Sequence, residues 1–194
     1  MLPDRCEVLV AGGGPVGLAT AVELGRRGVS CVVVEPRTSV SHSRPRCKTV
    51  NVRTMEHLRR WGIADRLRER APLPVAWSQD VVFATSLSGH ELSRFHGVLG
   101  LAPEAGRCAE PGQQAPQYVL EELLREVVEE LAPCTLATGH RVVALAQDDA
   151  EVRVEVADEA GEPHTVVADF VVGCDGPRSV VRAQIGAGYL GEHA

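Results

Sequence analysis

Lysine is nearly missing from this chain: Lys48 is the only one among the 20 basic residues. Arginine takes the other basic positions, which a coding bias explains as readily as a function does. There is no run of the roughly 18 or more apolar residues that a membrane-crossing helix needs, so no membrane is expected as a partner. The apolar start from Val8 to Leu18 is broken by Gly12, Gly13, Gly14 and Pro15 and preceded by Asp4 and Glu7; that is a poor secretory signal. The six cysteines, Cys6, Cys31, Cys47, Cys108, Cys134 and Cys174, form no C-x-x-C pair. They read as reduced thiols of a cytoplasmic protein rather than a disulfide framework. The seven histidines form no H-x-x-x-H pair, so no metal is expected. A net charge of −6 argues against generic binding to nucleic acid.

What is present suits a folded domain. The 194 residues are 44% hydrophobic, enough to bury a core without disulfides or metal. Glu7 to Ala11 reads as a buried strand ending in glycines. Val16 to Arg27 repeats apolar residues at helical spacing and stops at Gly28. Cys31 to Glu35 is a second buried strand. Strand, helix and strand within about 30 residues predict a βαβ unit with parallel strands and a right-handed crossover.

Further on, Pro36 to Pro45 reads as a loop, and Thr49 to Trp61 and Ala64 to Arg70 as helices. Val81 to Ala84 and Glu91 to Phe95 flank Ser88-Gly89-His90 as a hairpin. Gly97 to Pro116 reads as a long loop. Gln117 to Leu131 is the clearest helix, with five glutamates and one arginine around a stripe of Val119, Leu120, Leu123, Leu124, Val127, Val128 and Leu131. Three strand signals follow at Arg141 to Ala146, Val152 to Val156 and Thr165 to Val172. The middle one alternates strictly, as an antiparallel strand with one wet face does. Phe170-Val171-Val172-Gly173 is expected to re-enter the buried sheet. Ser179 to Ile185 reads as a short helix.

The sharpest motif is Gly12-Gly13-Gly14-Pro15-Val16-Gly17, a G-x-G-x-x-G between strand and helix. Gly12 permits a tight turn, Gly14 lets the backbone approach a pyrophosphate, and Gly17 lets the helix pack closely on the strand. The helix N-terminus offers unpaired N–H groups to phosphate. Glu35 ends the second strand about where a carboxylate accepts from an adenosine ribose. An acid there disfavours a 2′-phosphate, hence NADP at this site. A plain glycine turn with an ordinary strand-end glutamate is the bland alternative.

A plain NAD-binding fold would follow Glu35 with a second βα unit. Here the chain runs through Arg44-Pro45-Arg46-Cys47-Lys48 into a helix and returns by an antiparallel meander, which favours flavin. A solvated basic loop is the alternative reading of Arg44, Arg46 and Lys48. Gly173-Cys174-Asp175-Gly176 lies at the carboxyl end of a sheet strand, the edge where open α/β sheets bind ligands. The alternative for Asp175 is a local helix cap.

These stretches carry a resemblance. Val10 to Leu18, then Arg44-Pro45-Arg46 through Asn51 to Glu56 and on to Arg60-Trp61-Gly62, and finally Ala168 to Gly176 with Arg182, resemble the class A FAD-dependent aromatic monooxygenases of the p-hydroxybenzoate hydroxylase type. The middle stretch is most similar to the larger phenol and aromatic-polyketide hydroxylases. The resemblance implies an α/β, Rossmann-like FAD-binding domain with a parallel sheet, an antiparallel β-meander crossover and a partial substrate-side β-hairpin. Residues 1–76 and 109–186 would form the FAD-binding domain, 77–108 the hairpin and loop on the substrate side, and 187–194 the start of a substrate domain.

By the same resemblance, Gly12, Gly14 and Gly17 would hold the FAD pyrophosphate and Glu35 the adenosine ribose. Arg46 would reach the cofactor from the loop after the second strand, Gln117 would contact its ribityl–phosphate side, and Asp175 would serve both FAD and NAD(P)H. Pro15, Val16 and Arg37 complete the expected cofactor-binding set. NADPH or NADH would reduce FAD, and O2 would supply the hydroxyl placed on a small aromatic substrate. No residue is nominated as a catalytic acid or base. The family's Gly-Asp-Ala-type signature does not occur in these residues. The resemblance therefore implies that the rest of the flavin site comes from a C-terminal half outside them; the alternative expected partner is a second copy in a homo-oligomer, because an exposed sheet edge invites association. Two other readings stay open on the residues: a non-catalytic module that binds FAD or another adenine dinucleotide, and an FAD-dependent oxidoreductase without oxygen insertion.

Overall fold

Consecutive β-branched residues favour extended backbone, and a run without polar interruption must be covered on both faces. Cys31-Val32-Val33-Val34-Glu35 meets both conditions, and every residue of it is buried. In the computed structural model, which describes residues 2–43, 45–74, 79–98 and 106–191, this run is β2 (Cys31–Glu35). It follows β1 (Arg5–Ala11) and α1 (Pro15–Gly25). The chain continues through β3 (Thr49–Val50), α2 (Val52–Arg60), α3 (Ala64–Arg70), β4 (Val81–Ala84), β5 (Glu91–Phe95), β6 (Gln113–Gln114) and α4 (Gln117–Glu130). It ends with β7 (Cys134–Thr138), β8 (Arg141–Gln147), β9 (Val152–Ala157), β10 (Pro163–Gly173) and α5 (Val180–Gln184).

The main sheet has the order β7-β2-β1-β10-β9-β8. The strands β7, β2, β1 and β10 run parallel, and β9 and β8 add the antiparallel meander. This is the expected α/β architecture. The sequence reading did not mark β7, which is short, follows Pro133 and contains two threonines and an alanine in place of a hydrophobic run. It pairs along all of β2, from Cys31↔Cys134 to Glu35↔Thr138. The two-residue ladder of β3 with β6 is also too short to leave a sequence pattern.

The chain divides into two compact units, Met1–Val40 with Leu124–Ala194, and Ser41–Leu123. The first carries the main sheet. Its core gathers Leu9, Ala11, Val32, Val34, Val154, Val156, Val166 and Ala168. Phe170, expected inside, is 69% exposed. The antiparallel neighbour stops at Val152↔Ala168, so beyond that point β10 is flanked by β1 alone, and Val171 packs on the core instead.

In the second unit, Asn51 caps α2 by accepting the Thr54 N–H at 2.9 Å. Met55, Leu58 and Leu67 are buried, and Glu110 joins Arg59 and Arg68. The hairpin of β4 and β5 forms where the sequence places it, closed by the Thr85 N–H on the His90 carbonyl at 3.0 Å. Every residue of its two strands is exposed, Phe83 and Phe95 included.

Candidate cofactor site

The glycine turn is built by three different requirements. Gly12 sits at φ +103°, a region that side chains rarely enter, and a Cβ there would lie 2.7 Å from the Cys174 carbonyl carbon and 2.9 Å from the Asp175 Cα. A Cβ on Gly17 would run into the Gly12 carbonyl oxygen and stand 3.2 Å from the Cys174 Cβ. Both glycines are therefore demanded by the protein itself. Gly14 is not. Its φ of −78° and ψ of −178° are extended backbone open to any residue, and a Cβ on it would meet nothing within 4 Å. Gly14 precedes Pro15 at the start of α1, where no side chain caps the helix. An uncapped helix start beside open space is what an approaching phosphate needs. Val16, in the first turn, is 70% exposed.

Glu35 closes the other side of the turn. Its carboxylate is buried, with Oε2 accepting the Gly13 N–H at 2.7 Å. Oε1 accepts the Arg37 N–H at 3.0 Å and the Arg37 Nε–H at 2.6 Å. Burial alone would push this carboxyl up; the Arg37 guanidinium, with the Arg37 and Gly13 N–H groups, outweighs it and holds Glu35 below the usual carboxylate range. The group is thus a fixed anion. A carboxylate offers about four acceptor positions, so the three bonds leave room for a hydroxyl. The sequence reading missed Gly13. A Cβ there would stand 2.7 Å from the Glu35 Cβ, and the triplet of glycines was the available signal.

The Asp-Gly turn arrives beside the glycine turn because β1 and β10 pair in parallel up to Ala11↔Gly173. The Cys174 N–H then bonds the Ala11 carbonyl at 2.7 Å. Asp175 Oδ2 accepts the Val180 and Val181 N–H groups at 2.6 and 3.2 Å. Its Oδ1 is buried with no hydrogen-bond partner. Asp175 is therefore a helix cap, as one of the two sequence readings has it, and its second oxygen is an acceptor that the chain leaves unused. Burial, more than any other influence, raises the Cys174 thiol above its ordinary range.

Gly12, Gly14, Pro15, Val16, Gly17, Glu35, Arg37 and Asp175 all belong to the first unit, and Arg46 and Gln117 to the second. Arg46 is the only non-glycine residue at positive φ among the described residues, at +52°. The Gln117 N–H bonds the Cys47 carbonyl at 2.8 Å and the Pro45 carbonyl at 3.3 Å. The start of α4 thereby holds the two peptides that flank this turn. Gln117 Nε2 donates to Glu121 Oε1 at 2.7 Å. Lys48 is exposed, and Arg44 lies outside the described residues. Among the described residues, no group of His, Cys, Asp and Glu could hold a metal, and no helix is long and apolar enough to cross a membrane.

A model of the FAD binding domain family matches residues 5–194. The chain is 34% identical over 190 residues to the rifampicin monooxygenase of Streptomyces venezuelae, covering 96% of this chain and 35% of that protein. It is 32% identical over 187 residues to the phenol 2-monooxygenase of a Pseudomonas species, covering 93% of this chain and 30% of that protein. Among solved structures, the flavin-dependent monooxygenase PieE in complex with FAD and substrate superimposes with a TM-score of 0.87 at 36% identity, over 95% of this chain and 33% of that one. The chain spans about a third of the length of these curated relatives.

Proposed function

The chain belongs to the FAD binding domain family, and from that premise we propose that it is the cofactor-holding part of an aromatic hydroxylase that uses NADPH or NADH and O2. FAD, once reduced, supplies the activation of O2 and the transfer of a hydroxyl group to the aromatic ring. The residues of this chain bind and orient. The N–H groups at the start of α1 face the pyrophosphate, and Gly14 leaves room for it. Glu35 accepts from the adenosine ribose, and Asp175 Oδ1 offers an acceptor to a hydroxyl or N–H donor of the ligand. Pro15 and Val16 line the turn, and Arg37 keeps Glu35 ionised. Arg46 and Gln117 are assigned as further FAD contacts on the family resemblance alone. The observation that carries the reading is Gly14, a glycine that neither backbone conformation nor packing requires.

The relatives' names support the aromatic substrate: phenol, pentachlorophenol and para-nitrophenol monooxygenases stand among them. We read the exposed apolar hairpin of β4 and β5, in residues 77–108, as a contribution to the substrate side. An isolated two-stranded ribbon is marginal in water, so the reading supplies it with cover from a C-terminal half or a second copy. The scattered cysteines suit the cytoplasm.

Two measurements test this. Titration of the chain with FAD and with ADP should give similar affinities, because the adenosine and pyrophosphate contacts lie here. In the protein that carries this domain, NAD(P)H oxidation with a phenolic substrate under labelled O2 should place the label in the product. Failure to bind either nucleotide would overturn the cofactor reading. Oxidation without incorporation would leave an FAD-dependent oxidoreductase of another kind.

A further inference from the structure

The long helix α4 carries one cation that the cofactor reading does not use. Arg125 is only 9% exposed. Its guanidinium donates to the Thr38 carbonyl through one terminal nitrogen and to the Arg37 carbonyl through the other, each at 3.4 Å. Its Nε is buried with no hydrogen-bond partner. Two long bonds and one idle donor are poor compensation for a buried charge, and an apolar residue of similar volume is often at least as stabilising in such a place. The position of the two carbonyls explains what the charge does. They belong to the residues that follow Glu35 and Pro36. The first of them also sends its own N–H and Nε–H onto Glu35 Oε1, while Glu35 Oε2 holds the Gly13 N–H. Hydrogen bonds on either side of the Arg37 backbone therefore link Arg125 of α4 to Glu35, and Glu35 to the glycine turn, all within the first unit.

We infer that Arg125 is a positioning residue: it fixes the Arg37–Thr38 turn and thereby sets Glu35 for the ribose hydroxyls of an adenine nucleotide. The inference rests on the reading of Glu35 as the ribose acceptor. A guanidinium suits the task because its rigid fork spans two successive carbonyls, which a single-point donor does not. Arg37 itself is not a substitute, since its side chain is committed to the carboxylate that it orients.

The test uses a ligand pair that reports on Glu35 alone. ADP and 2′,3′-dideoxy-ADP share adenine and pyrophosphate and differ only in the ribose hydroxyls. The wild-type chain should prefer ADP by roughly tenfold or more, as a charge-assisted hydrogen bond implies. In Arg125→Met, binding of ADP should weaken while that of the dideoxy analogue is unchanged, bringing the preference to within about twofold. Arg125→Gln, which keeps polar donors, is measured beside it and should lose about threefold of the preference. If both variants keep the wild-type preference, whether or not the two affinities fall together, Arg125 only packs and the inference is overturned. If the wild-type chain binds ADP without preference, the reading of Glu35 fails first, and a wild-type chain that binds neither nucleotide overturns the site itself. Thermal melts of each variant, with Arg125→Gln carrying the test should Arg125→Met not fold, separate positioning from simple loss of structure.

Discussion

Two strand-to-helix turns stand side by side at the end of the parallel strands, and they are finished in opposite ways. After β1, the start of α1 has a glycine at its N-cap, a proline in its first turn and no side-chain cap. After β10, the start of α5 is closed: Asp175 takes the Val180 and Val181 N–H groups, and Ser179 Oγ takes the Arg182 N–H at 2.9 Å. A helix start leaves about four N–H groups without partners. Where side chains take them the turn is complete in itself, and where they do not, the turn is ready for an anion. Two turns with similar Gly-containing sequences at the same sheet edge are thus left with different groups unpartnered by side chains. One presents donors, and the other spends its donors and presents a single buried acceptor, Asp175 Oδ1.

The largest effect that would break this comparison is on the fold. Gly12→Val should abolish folding, losing more than about 4 kcal/mol, because a side chain at φ +103° would occupy the place of the Cys174 carbonyl; urea denaturation or loss of soluble protein reads this out. Gly14→Val sharpens the comparison most. The melting temperature should change by only a few degrees, since the position is open, whereas binding of FAD and ADP should weaken by about a hundredfold or more. A Gly14→Val chain that binds FAD as well as wild type does would remove the open turn from the site.

Next comes Glu35→Gln, expected to destabilise by about 1–3 kcal/mol at neutral pH through loss of a buried, charge-assisted bond. The sign of its pH dependence is set by the lowered carboxyl of Glu35. A carboxyl lowered on folding contributes stability that is full above its unfolded value, 4.5 for glutamate, and is lost as pH falls through the folded value. The gap between wild type and Glu35→Gln in urea midpoint should therefore be widest at pH 7 and shrink as the pH is taken below 4.5. A constant gap would show that Glu35 acts by packing alone. The smallest effect belongs to the closed turn: Ser179→Ala should cost about 1 kcal/mol, the usual worth of such a cap, and leave ADP affinity untouched. A loss of ADP affinity there would mean that α5 is no mere completed turn.

Much of this was legible in order along the chain. The run Cys31 to Glu35, the stripe on α4 and the hairpin strands announced themselves through apolar periodicity and turn residues, because those signals are local. The glycine turn was legible for the same reason. What escaped were features without a local signature. Five residues of β7 have little pattern of their own and become a strand only because β2 offers a partner edge. Gly13 carries no role in the motif itself and acquires one only where Glu35 packs over it. Arg125 read as one more charge around a helical stripe, and its burial depends on a loop far away in sequence.

Local chemistry, then, was decided by sequence alone: where the strongly patterned strands and helices lie, which glycines make a turn, and which carboxylate ends the second strand; the strand at Thr49–Val50, expected as the start of a helix, was not among them. Periodicity and conformational preference act over a few residues, so they survive without the fold. Tertiary structure decided everything that depends on residues distant in the chain meeting in space. The pairing of β1 with β10 brings Asp175 against Gly12. The same packing distinguishes the three glycines that the protein requires, Gly12, Gly13 and Gly17, from the one it leaves open. No sequence pattern separates Gly12 and Gly17 from Gly14 in this way, because the distinction is the presence or absence of neighbouring atoms, and those arrive only when the chain has folded.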